Sequence, residues 1–209
     1  MKNIIILTLV ILVFLTFFTR EPLDNRRPLF SGYVPDDGGK IADYFPIKEG
    51  SFWEYEGTRK EQIEGKIQTN EIRKKVKVDN ITTDLGVDTI SVVSGDKFEK
   101  WLVKDNSIDF EPNESQDKFI FMFPLYVGQK WGDEYQLKNR DDGYYVWEVE
   151  QNLSQEVLGE EYNDCFRIAY KTLPDTQYKI FCYGIGIVEE GYKHNGTVME
   201  EIYKLIAYQ

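Results

Sequence analysis

Soft metal ligands are scarce in this chain, whose 209 residues include one His and two Cys. A zinc, copper or iron–sulfur centre built from several imidazoles and thiolates is thereby excluded, and a Ser-His-Asp arrangement has only His194 to use. Basic residues are outnumbered as well, 25 Lys and Arg facing 36 Asp and Glu for a net charge of −11. Affinity for a phosphate backbone comes mostly from Lys and Arg, so no nucleic-acid partner is expected. Long helical periodicity is missing from everything beyond the N-terminus, and no catalytic motif stands out. The expectation is a non-enzymatic protein with no cofactor and no metal.

What is there begins with an apolar run, Ile4 to Phe18, interrupted only by Thr8 and Thr16 and preceded by Met1, Lys2 and Asn3. This is the pattern of a signal peptide or anchor. As a helix the run covers about 22 Å, short of the ~30 Å hydrocarbon core, so spanning requires snorkelling flanks or local thinning. Phe17-Phe18-Thr19-Arg20-Glu21-Pro22 offers no small-residue cleavage site, and no Cys follows for lipid attachment. An uncleaved anchor over residues 1–20 is expected, with a secreted protein as the alternative. Arg20, Arg26 and Arg27 after the run point the domain inward by the positive-inside rule. The short charged start and compact apolar run have the form of an export signal, and long domains translocate despite nearby charge, so the extracytoplasmic side is expected.

Residues 21–42 carry Pro22, Pro28, Pro35 and Asp36-Asp37-Gly38-Gly39, and read as a tether. Residues 43–209 read as one domain, long enough to bury roughly 70% of its unfolded surface without covalent staples. Its prevailing period is two. Ile72, Lys74, Val76 and Val78 alternate with Arg73, Lys75, Lys77 and Asp79, as on a half-buried strand, and Tyr145, Trp147 and Val149 alternate with Glu148 and Glu150. Further strands are expected over 52–58, 87–93, 97–103, 162–171, 178–188 and 198–208. Ser94-Gly95-Asp96, Asp141-Asp142-Gly143 and Asn195-Gly196 read as hairpin turns. The fold class is therefore all-β, an antiparallel meander forming a curved half-barrel or a β-sandwich after an N-terminal hydrophobic helix.

Phe45-Pro46-Ile47-Lys48-Glu49-Gly50-Ser51-Phe52-Trp53 is echoed by Phe123-Pro124-Leu125-Tyr126-Val127-Gly128-Gln129-Lys130-Trp131, with Phe, Pro, the aliphatic residue, Gly and Trp in the same order. Pro biases the preceding Phe to extended backbone, Gly permits a tight turn, and Trp starts a strand with a ring large enough to cover the core. Two related sheet modules, starting near 44 and 122, are expected. The tryptophans are read first as core; as ligand contacts, the candidates are Trp53, Trp101, Trp131 and Trp147.

Tyr44-Phe45-Pro46-Ile47, Gly50, Trp53 and Tyr55, with the second Phe-Pro-Leu copy, Leu158-Gly159, Tyr162, Asp164-Cys165-Phe166, Ile168 and Gly184-Ile185-Gly186-Ile187-Val188, form a pattern that extends over most of the domain. It resembles a group of largely uncharacterised extracytoplasmic β-proteins of bacteria, especially Gram-positive ones. The resemblance implies a secreted or membrane-attached β-protein and brings no catalytic residues with it. This chain departs from the pattern at Cys182-Tyr183-Gly184, where the group has Ala-Pro-Gly.

Other motifs reduce to structure. Asp109, Glu111, Asn113, Ser115 and Asp117 have the alternate-oxygen spacing of an EF-hand loop, but Glu114 stands where Gly is required and Ile120 where the bidentate Glu belongs, so a solvated acidic turn is expected. Gly184-Ile185-Gly186 lacks the third Gly of a dinucleotide loop, Glu189 being there instead, and reads as relief of crowding at a sheet bend. Arg73, Lys75 and Lys77 read as a solvated face guarding an edge strand. His194 reads as a turn residue.

Cys165 and Cys182 are expected to be free. Pairing Phe166 with Cys182, Ile168 with Ile180 and Tyr170 with Tyr178 aligns every apolar member and leaves Leu173-Pro174-Asp175 as the loop, which puts the two thiols on opposite faces.

The functional expectation is a cell-envelope binding module for an apolar ligand, lipid or peptide, motivated by 15% aromatic content without catalytic groups. Its contacts are then the membrane, through Ile4 to Phe18, and an apolar ligand or another envelope protein. An assembly protein binding such a partner is the alternative; a carboxylate-based hydrolase is the second.

Overall fold

The alternating runs do become strands, because each can bury one face and solvate the other. The computed structural model describes residues 41–104, 106–110 and 120–209. The apolar run at 4–18, most of the tether and the acidic segment 111–119 lie outside the described residues, as does any test of calcium binding there. A short helix, α1 (Ile41–Tyr44), leads into β1 (Phe52–Ile63), β2 (Lys66–Asp84), β3 (Val87–Ser94), β4 (Lys97–Lys104), β5 (Ser107–Asp109) and β6 (Ile120–Met122). The second half comprises β7 (Lys130–Gly132), α2 (Glu134–Asn139), β8 (Val146–Val157), β9 (Glu160–Lys171), β10 (Asp175–Cys182), β11 (Gly186–His194) and β12 (Met199–Tyr208).

Among the described residues, twelve strands form one antiparallel sheet, curled but not closed, in the order β6-β5-β4-β3-β2-β1-β12-β11-β10-β9-β8-β7. Two six-strand meanders thus meet at a single seam, β1 against β12. The sandwich alternative is overturned, since a sandwich needs two stacked sheets. The edges, β6 and β7, are three residues long, short enough to offer little template for edge-to-edge pairing.

The two Phe-Pro-Gly-Trp segments share the turn at their glycines, although the Phe123–Pro124 peptide bond is cis and Phe45–Pro46 is not. Gly50 and Gly128 both have positive φ, and their amides donate to Val78 O at 3.0 Å and Val149 O at 2.8 Å. Val78 and Val149 donate in turn to Ser51 O and Gln129 O. One copy leads into β1, the other into β7. Their phenylalanines converge on Phe181, with ring centroids 5.8 Å (Phe45) and 5.4 Å (Phe123) away. Gly186, at φ +105°, makes room for Phe45, whose ring lies 2.1 Å from where a Cβ would stand.

Several local expectations are corrected. The expected strand over 178–188 is broken by a turn between β10 and β11, where Gly184 takes φ +81°. Asp141-Asp142-Gly143 is not a hairpin turn: it connects β8 to α2, a helix capped by Asp133, whose Oδ1 accepts from Gln136 N at 3.0 Å. Arg73 and Lys75 do not guard an edge, because β2 lies inside the sheet between β1 and β3; they pair with Glu56 and Glu54 of β1.

The largest correction concerns the cysteines, which form a Cys165–Cys182 disulfide. The β9–β10 register is one residue away from the expected one: Cys182 faces Cys165, Phe181 faces Phe166 and Lys179 faces Ile168. Thr172 N donates to Asp175 O at 2.7 Å, so the turn takes four residues, not three. A one-residue slip exchanges the faces of a whole strand. Aligning apolar partners failed because β10 does not carry its hydrophobic residues on one face alone: Phe181 points with Lys179 and Gln177, while Tyr178 lies beside the Arg167 guanidinium, 3.7 Å from its ring centroid.

Thiol counting in denaturant without reductant is expected to find none. Replacing both cysteines with alanine should lower unfolding free energy by about 3 kcal/mol, as expected for opening a loop of this size, in urea titration. Two reactive thiols per chain would restore the original register.

Candidate functional site

The concave face of the sheet holds a cavity of about 370 Å³. Its aromatic part is built from Phe45, Trp53 of β1, Trp101 of β4 and Phe110. Phe45 lies 5.0 Å from Trp53, and Trp101 lies 4.9 Å from Phe110, centroid to centroid. Trp147 of β8 also lines it, so three of the four candidate tryptophans are brought together; Trp131 is buried on β7, directly across from Trp147, and does not line it.

The walls are held by hydrogen bonds from β1 to the β10–β11 turn and to β11. Trp53 Nε1 donates to Ile185 O at 2.8 Å, and Tyr55 Oη donates to Ile187 O at 2.9 Å. Burial, with the neighbouring Glu190 carboxylate, raises the Tyr55 pKa well above its ordinary value and keeps the phenol a donor. The buried indole N–H of Trp101 has no acceptor among the described residues.

Above the aromatic part the same face turns ionic. Glu190 of β11 accepts from Lys74 Nζ at 2.6 Å on one carboxylate oxygen and from Lys179 Nζ at 2.7 Å on the other. Its side chain is 17% exposed. Burial alone would raise the carboxyl, but the Lys179 and Lys74 ammonium groups outweigh it and hold the pKa at about 2. Two strands, β1 and β12, lie between Lys74 and Glu190 in the sheet order. On a flat sheet three strand spacings are about 14 Å, so the 2.6 Å contact reflects long side chains and the curl together. Lys74 crosses this gap over aromatic rings, 5.3 Å from the Tyr55 centroid and 5.7 Å from that of Tyr203.

Lys179, Lys74 and Glu190 are the residues that sequence reasoning missed as a group. One signal was available: Lys74 occupies a position of the inward, mostly apolar face of β2. Lys179 carried none, because the expected register set Tyr178, Ile180 and Cys182, not Lys179, opposite the apolar residues of β9.

His194 is part of a separate cluster near the β10–β11 end. Its Nδ1 is 2.6 Å from Asp175 Oδ1, which also accepts from Tyr192 Oη at 2.7 Å. His194 and Tyr192 together hold the Asp175 carboxyl below its ordinary range. No nucleophile completes a triad in these contacts.

No protein-family model and no curated protein matches the chain. Among solved structures, a candidate lipoprotein from Parabacteroides distasonis is similar at 14% identity and a TM-score of 0.49, over 79% of this chain and 97% of its own. A candidate exported protein with a YmcC-like fold from Bacteroides fragilis is similar at 11% identity and a TM-score of 0.44, over 79% and 98%. No residue role is carried over from either.

Proposed function

We propose that this chain is a non-enzymatic binding module of the cell envelope, tethered through Ile4 to Phe18 on the extracytoplasmic side, which holds an apolar ligand in the concave face of its sheet. The observation that carries the reading is the aromatic-walled cavity of about 370 Å³. That volume lies near the low end of the roughly 300–1,000 Å³ common for ligand pockets. Walls tied by the Trp53 and Tyr55 hydrogen bonds are already ordered, so little freedom is lost when a ligand enters. Placement outside the cytoplasm is supported by the apolar N-terminal run and by the disulfide, since disulfides persist in oxidising compartments. Membership of the extracytoplasmic β-proteins that the Phe-Pro-Gly-Trp pattern resembles belongs to the same proposal.

Gentle purification of the full chain from the membrane fraction, followed by mass spectrometry, should recover a small apolar or amphipathic molecule, and protease applied to cells before lysis should remove the domain. Protein free of any such molecule would count against the ligand reading. A stoichiometric protein partner would favour an assembly role instead.

A further inference from the structure

We infer that the ligand is an uncharged amphiphile with a glycerol-like diol head, the head held by Gln177 and Tyr203 and the apolar chain lying against Trp53 and Trp101. This rests on the ligand-binding reading above and specifies the chemistry of the same site.

The aromatic cavity does not end at its ionic group. A second space of about 110 Å³ adjoins it on the concave face, and Trp147, Gln177, Lys179 and Glu190 line both. Strand register builds this smaller space from neighbouring rungs of the sheet. Gln177 of β10 faces Tyr192 of β11, which faces Glu201 of β12, and in the next rung Lys179, Glu190 and Tyr203 stand side by side. Residues directly opposite in adjacent strands share a face, and all of these side chains line the space.

Most of them are already engaged. Glu190 accepts from Lys179 at 2.7 Å and from Lys74 at 2.6 Å, Glu201 pairs with Arg59 at 2.7 Å, and Tyr192 Oη donates to Asp175 at 2.7 Å. The Gln177 amide and the Tyr203 hydroxyl make no hydrogen bond among the described residues. They stand at opposite corners of the patch, two strand spacings or about 10 Å apart at the backbone, on the inside of the curl where side chains converge. Gln177 offers an acceptor and two donors, and Tyr203 a hydroxyl. Burial, and after it Glu201, raises the Tyr203 pKa, so the phenol stays protonated and can donate. A diol both donates and accepts, which suits this pair; a carboxylate only accepts and an ammonium only donates.

Size and charge agree with that head. The smaller space has room for about three to four waters at ~30 Å³ each, comparable to a glyceryl group. A charged head has less to gain, because Lys74, Lys179, Glu190 and Glu201 are held in ion pairs. Glu99, on the aromatic wall two residues from Trp101, opposes an anion. The chain then runs from Trp147, which borders both spaces, toward Trp53 and Trp101.

The test titrates the full chain, kept in a polyacrylate amphipol, with 1-monodecanoylglycerol, methyl decanoate, decanoate, decylamine and glycerol, following tryptophan fluorescence. Monodecanoylglycerol should bind about tenfold more tightly than methyl decanoate, which has the same chain and ester without the diol, an increment that two neutral hydrogen bonds supply. Decanoate and decylamine should bind more weakly than monodecanoylglycerol, and glycerol should not bind in the same range. Gln177→Leu and Tyr203→Phe should each cut the ratio of monodecanoylglycerol to methyl decanoate affinity to about threefold. Equal binding of those two esters by the unaltered protein would overturn the diol head and leave the apolar reading standing. A ratio unmoved by either substitution would overturn the placement at Gln177 and Tyr203. Decanoate or decylamine as the tightest ligand would overturn the uncharged head, glycerol equal to monodecanoylglycerol would overturn the apolar reading, and no binding by any probe would overturn both.

Discussion

Gly57→Ala should destabilise the domain by about 3 kcal/mol, near the upper end for overpacking. Gly57 lies on β1 opposite Tyr203 of β12, in the one seam that joins the two meanders. A Cβ built there would stand 1.8 Å from the Ile202 carbonyl oxygen, 2.7 Å from its carbon and 2.9 Å from Tyr203 Cα. All three are backbone atoms, so no side-chain rotation relieves the contact. The ladder from Glu56–Lys204 to Lys60–Glu200 has to open instead. Gly65→Ala, in the β1–β2 turn, is the control: nothing lies within 4 Å of its Cβ, and only its φ of +78° opposes the change. That variant should cost only about 1 kcal/mol. Urea titration of both decides the matter, and a Gly57→Ala midpoint no lower than that of Gly65→Ala would show that the seam tolerates separation.

Glu190→Gln should be the second large loss, on the order of 3 kcal/mol at neutral pH, because it leaves Lys74 and Lys179 facing each other without their shared anion. The pH dependence identifies the cause. The folded-state pKa of Glu190 is lowered from 4.5 to about 2, so the carboxylate contributes stability that is fully present above about pH 4.5. That contribution fades as pH falls through the folded value and amounts to about 3 kcal/mol when integrated over the shift. Unfolding free energy measured between pH 7 and pH 2 should therefore fall less steeply in Glu190→Gln than in the unaltered protein. Parallel acid limbs would mean that Glu190 does not carry the shift. Replacing all three residues, Lys74→Met with Lys179→Met and Glu190→Leu, should restore most of the loss, since an entire ionic group is removed with its desolvation cost.

The concave face then has two separable properties: aromatic walls fixed by long-range hydrogen bonds, and a charge cluster placed by strand register.

Much of this architecture was determined by the sequence alone. Alternation such as Ile72, Lys74, Val76 and Val78 can be satisfied only by strands with one buried face, so the all-β class follows from local pattern. The N-terminal apolar run likewise stood out from composition. What only the tertiary structure decided was which residues share the inner face. Sheet side chains alternate with a period of two, so a slip of one residue between β9 and β10 exchanges every face; in the observed register the same slip brings Cys165 to Cys182 and turns Lys179 inward. Curl then completed the site, joining Lys74 to Glu190 across two intervening strands. No local pattern encodes that contact, because it depends on how strongly the strands bend together, which long-range pairing and not local sequence decides.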